Sequence, residues 1–87
     1  MGDSEEPWEY DGRYYTVTGF SDVDCRDGYG WELEDVAPLP NRGLVLEAFL
    51  DGTSLGFTFR AFTDQPLPLA LVHRFVTEAA NGIPRAT

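Results

Sequence analysis

Three Asp-Gly dipeptides, at 11-12, 27-28 and 51-52, punctuate the chain, and each stands between segments of alternating apolar and polar residues. Asp-Gly in that setting is a strong short-range hairpin signal, because a two-residue turn of the favoured hand requires positive φ at both central positions. Antiparallel strands are therefore expected from the start of the chain. Residues 8–10 and 13–20 flank the first turn, which would set Trp8 across from Tyr15 as an aromatic cross-strand pair. Residues 30–36, 44–50 and 54–62 supply the remaining strand patterns. The intervening APLPNRG at 37–43 carries two prolines and a glycine, and reads as a connection.

The period changes near the C-terminus. In PLPLALVHRFVTEAANG, Leu69, Val72, Phe75, Val76, Ala79 and Ala80 recur at helical spacing. A single amphipathic helix over about 67–80 follows, with a proline in its first turn and Asn81-Gly82 as its stop. Strands followed by one helix predict a two-layer α+β fold, an antiparallel β-meander of four to five strands with the helix packed on one face. We expect one domain over residues 7–83, with flexible ends at 1–6 and 84–87.

Side chains alternate across a strand, so the pattern also predicts two sheet faces. Tyr15, Val17, Trp31, Leu33, Leu44, Leu46, Ala48, Leu50, Leu55, Phe57, Phe59 and Ala61 share the apolar face that the helix should cover. The opposite face collects Tyr14, Thr16, Thr18, Phe20, Glu32, Glu34, Val45, Glu47, Phe49, Thr58, Arg60 and Phe62. It mixes carboxylates with aromatic rings, and no second helix is available for it. Such a face suits contact with another molecule.

Charge sharpens this expectation. The chain has fifteen acids and six arginines, without lysine, for a net charge of −9. Residues 1–35 hold eleven of the acids against Arg13 and Arg26, which accounts for all nine net charges; residues 36–87 balance four acids with four arginines. A front so acidic repels nucleic-acid phosphates and anionic membranes and favours encounter with basic protein surfaces. No apolar run approaches the length of a membrane span. The acidic, polar opening MGDSEEP is unlike a signal peptide, and Cys25 is the sole cysteine, so a cytoplasmic location is expected.

The stretch SDVDCRDGYG at 21–30 invites comparison with a calcium loop. With Gly28 at the glycine position of an EF-hand, Glu34 falls correctly at the twelfth place, but the first and third ligand positions become Val23 and Cys25. An acidic surface loop is the better reading, with irregular calcium binding as a lesser alternative. Glu32 and Glu34 stand about 7 Å apart on one strand face, within the range of paired catalytic carboxylates, yet an open face offers no desolvated pocket to separate their pKa values. His73 is the only histidine, which excludes zinc sites built on several histidines.

The sequence thus points to a small acidic, non-enzymatic module of the inhibitor, immunity or adaptor kind, docking on a basic protein partner. The contact residues expected are Tyr14, Glu32, Glu34, Glu47, Phe49 and Arg60, with Asp22, Asp24 and Asp27 as an acidic rim. No cofactor, metal or catalytic residue is expected. A homodimer formed through the open sheet face and a calcium- or small-ligand-binding domain are the alternatives.

Overall fold

The computed structural model describes residues 6–22, 28–53 and 56–82, with only the backbone of Asp22. Five strands and one helix follow in chain order: β1 (Trp8–Tyr10), β2 (Arg13–Asp22), β3 (Gly28–Ala37), β4 (Gly43–Asp51), β5 (Phe57–Ala61) and α1 (Leu69–Asn81). The strands form one antiparallel sheet in the order β1-β2-β3-β4-β5, so the expected α+β meander is the observed fold.

The first Asp-Gly turn is a two-residue hairpin. Asp11 and Gly12 have φ of 53° and 80°, Tyr10 pairs with Arg13, and Trp8 lies opposite Tyr15. The Glu9 carboxylate accepts a 3.0 Å hydrogen bond from the Gly12 N–H, which adds a local brace to the turn. At the third Asp-Gly, the Asp51 N–H donates to Gly56 O at 3.0 Å and closes a four-residue loop, while the Thr53 N–H donates to the Asp51 carboxylate at 2.7 Å. That aspartate folds its own turn.

The second Asp-Gly does not act as a tight hairpin. β2 pairs with β3 through Asp22↔Gly28, and Gly19 lies opposite Trp31. Both strands are therefore longer than the expected 13–20 and 30–36. Val23, Asp24, Cys25, Arg26 and Asp27 lie outside the described residues, and with them the calcium-loop alternative.

Two register shifts adjust the faces. Tyr15 pairs with Asp35 while Tyr14 pairs with Ala37, and Leu33 pairs with Leu46 while Glu34 pairs with Leu44. Each shift leaves one residue extra, as in a β-bulge, which bends and twists the strand. The second shift reverses two assignments. Val45, expected on the outer face, is fully buried in the core, while Leu44 shares the outer face with Glu34.

The core joins Trp8, Tyr15, Leu33, Val45, Leu46 and Ala48 of the sheet to Leu71, Phe75 and Ala79 of α1. Leu71, Phe75 and Ala79 recur every four residues and form one stripe. The expected stripe ran through Leu69 and Val76, yet Leu69 is 81% exposed and Val76 45%. At 3.6 residues per turn the buried stripe is rotated about 60° from the centre of the apolar arc, so a second apolar flank stays outside the core. Pro68 precedes the helix, its carbonyl taking the Leu71 and Val72 N–H groups, and the Gly82 N–H closes onto Glu78 O and Ala79 O. The Arg74 guanidinium lies 4.0 Å from the centre of the Trp8 ring, tying the short first strand to the helix.

Candidate binding surfaces

The register arranges the outer face as rows. One runs Thr18, Glu32, Glu47, Arg60, and the next runs Phe20, Gly30, Phe49, Thr58. Glu34 pairs with Thr16 on one side and Leu44 on the other. The sheet thus brings Glu32, Glu34, Glu47 and Arg60 together, as the alternation predicts. Tyr14 is at the far end of the same face, 43% exposed, opposite Ala37. Glu32 is half-buried, Glu34 and Arg60 are exposed, and Asp22 ends β2 with its backbone paired to Gly28. Asp24 and Asp27 are not among the described residues.

Not every expected contact residue offers surface. Phe49 is 5% exposed and Glu47 7%. Phe49 stacks with Phe20 at 6.2 Å between ring centres and 28° between planes. A β-carbon on Gly28 would come within 2.7 Å of the Phe49 ring, and one on Gly30 would collide with the ring of Phe20. The two rings occupy the space above the glycines, a cross-strand compensation for missing side chains. Phe20 and Phe49 therefore act as a small second core on the outer face, which leaves Glu32, Glu34, the threonines, Tyr14 and Arg60 as the accessible chemistry.

The opposite face holds two features that the alternation pattern alone left unread. The first is an ionic cluster. Asp35 is fully buried, and its carboxylate accepts hydrogen bonds from Arg13 Nε at 2.7 Å, Arg13 Nη2 at 3.1 Å and Arg42 Nε at 2.7 Å. Arg13 Nη2 also donates to Pro38 O and Pro40 O at 2.7 and 3.0 Å, and Arg42 Nη2 to the Tyr15 hydroxyl at 3.0 Å. The cluster ties the proline loop to β2 and β3. Burial pushes the Asp35 carboxyl up, but the hydrogen bonds and charges of both arginines outweigh it and hold its pKa below the usual carboxylate range. The period-2 run Trp31, Leu33, Asp35 was the available signal, since a carboxylate on a core face demands cationic partners.

The second feature is an apolar groove of ≈190 Å³ between β5 and the uncovered flank of α1, lined by Ala48, Phe57, Thr58, Phe59, Val76, Ala79 and Ala80. Phe57 and Phe59 belong to the core face, yet they are 41% and 50% exposed. The helix covers the sheet from Trp8 to Ala48 and stops short of the last strand. Trp31 lies beside Phe57, with ring centres 6.1 Å apart.

The groove lining contains no titratable side chain. Among the described residues no group of three His, Cys, Asp or Glu side chains is placed to hold a metal ion, and no helix is long and apolar enough to cross a membrane. Comparison with protein-family models, curated proteins and solved structures gave no match.

Proposed function

We propose that the protein is a non-enzymatic binding module that docks on a basic surface of a partner protein through the outer face of its sheet. The observation that carries this reading is the row Thr18, Glu32, Glu47, Arg60 with Glu34 beside it, on a face that no described helix covers. Glu32 and Glu47 stand directly opposite one another on adjacent strands. Arg60 stands opposite Glu47 on the next strand, which leaves Glu32 and the exposed Glu34 as the carboxylates that a guanidinium or ammonium from a partner would engage. Exposed Thr18, Thr58 and Tyr14 add hydrogen-bonding groups around the carboxylates.

The uneven charge supports the same reading, because nine net negative charges within residues 1–35 would steer a basic partner toward this end of the molecule. The test is parallel capture from one lysate on immobilised wild-type chain and on the Glu32→Gln/Glu34→Gln variant, each at low and high salt. Basic proteins retained by the wild type at low salt and lost from the variant are the expected result. An identical retained set on both would refute the assignment of the face.

A further inference from the structure

The two edges of the sheet are built differently. β1 has three residues, follows Pro7 and carries Glu9, the short and charged construction that keeps an edge from pairing. β5 reads Phe-Thr-Phe-Arg-Ala, without proline or acid, and all five residues are exposed. The Phe62 N–H donates to Val45 O at 2.8 Å and the Asp51 N–H to Gly56 O at 3.0 Å, so the even-numbered residues of this segment face β4. By the alternation of an antiparallel ladder, the N–H and C=O groups of Phe57, Phe59 and Ala61 point away from the sheet.

We propose that β5 pairs antiparallel with β5 of a second copy of this chain, about a two-fold axis at Phe59, joining two sheets into one of ten strands. This inference goes beyond the outer-face reading and does not depend on it. In that register Phe59 meets its own copy, Phe57 meets Ala61, and Thr58 meets Arg60. Phe57 is set against the small Ala61, the two Phe59 rings face one another, and no like charges stand opposed. A shift centred on Arg60 would oppose two guanidiniums. Three hydrogen-bonded pairs would form, and the apolar grooves of the two copies would meet across the axis.

Charge selects a second copy at this edge. Residues 36–87, which supply β4, β5 and α1, are neutral in sum, so pairing here leaves the acidic halves at opposite ends. Pairing through the outer face would instead press Glu32 and Glu34 of one copy toward those of the other. Area sets the strength. Phe57 and Phe59, each about half exposed, offer roughly 180 Å² together. With Val76, Ala80 and the strand edge, the contact stays below the roughly 1,200 Å² of standard interfaces, in the range of weak and transient pairs.

Sedimentation equilibrium of the full chain from 5 to 500 μM, with amide exchange at both ends of that range, tests the proposal. The expected result is a reversible monomer–dimer equilibrium, together with amides of Phe57, Phe59 and Ala61 whose exchange slows at least tenfold at high concentration. Thr58 and Arg60, already bonded to β4, should change little. Phe59→Arg should abolish the dimer. A monomer at 500 μM, a dimer without slowed exchange at those three amides, or a dimer that survives Phe59→Arg in a folded chain would each overturn it.

Discussion

Asp35 is the side chain on which most polar geometry converges. Its carboxylate is fully buried and joins β3 to Arg13 at the start of β2 and to Arg42 in the loop before β4. Removing one partner of a buried ion pair leaves the others without compensation, and Asp35→Asn should cost about 3 kcal/mol of stability. The pH dependence follows from the lowered pKa. The unfolded chain holds its proton at this position to higher pH than the folded one. The stabilisation by Asp35 is therefore complete above the unfolded value, about 3.9, and is lost as pH falls through the folded one. Urea unfolding of both proteins should show a constant difference from pH 8 to 5 that shrinks below pH 4; a difference independent of pH would contradict the role given to the carboxylate. Gly30 makes a second prediction at this scale. A β-carbon there meets the Phe20 ring, so Gly30→Ala should destabilise by about 1–3 kcal/mol through overpacking, although alanine is otherwise the better strand residue. Thermal melts would check it, and an unchanged or raised Tm would show that Phe20 moves aside without loss.

At the scale of elements, the sheet was legible because its turns and alternation agree. Asp11-Gly12 has the positive φ values that its residue types imply, and the Trp8↔Tyr15 pair follows from the turn length. The second Asp-Gly differs from the other two: the stretch around it reads as an acidic surface loop, and the paired surface of the two long strands, with Gly19 beneath Trp31 and Phe20 over Gly30, sets Gly28 opposite Asp22. The inward placement of Val45 was not legible, since a bulge adds one residue without leaving a mark in the alternation. The helix was found, but its phase was not. The apolar arc of α1 is wider than the stripe it buries, and only the position of the sheet determines which part is used. Leu71→Ala should therefore cost about 2–5 kcal/mol, while Leu69→Gln should stay within about 0.5 kcal/mol of the wild type. Chemical denaturation of the two variants checks the phase directly. Equal losses would mean that Leu69 belongs to the core.

At the scale of the molecule, charge and apolar surface are segregated. The acidic excess lies in residues 1–35, while the exposed phenylalanines and the groove lie with β5 and α1 in the neutral remainder. The candidate outer face was read from alternation and charge, and its rows follow the predicted grouping of Glu32, Glu34, Glu47 and Arg60. Its aromatic part was not, because Phe49 is used internally, lying over glycine positions that period-2 analysis treats as blank. Contact with a basic partner should then depend on electrostatics more than on buried aromatic area. The most direct measurement is the association rate of a captured basic partner with wild type and with Glu32→Gln/Glu34→Gln, followed from 20 to 300 mM salt. The expected result is a rate lowered about tenfold at low salt in the variant, with a shallower dependence on ionic strength. Equal rates and equal salt slopes would contradict the assignment of the outer face as the docking surface.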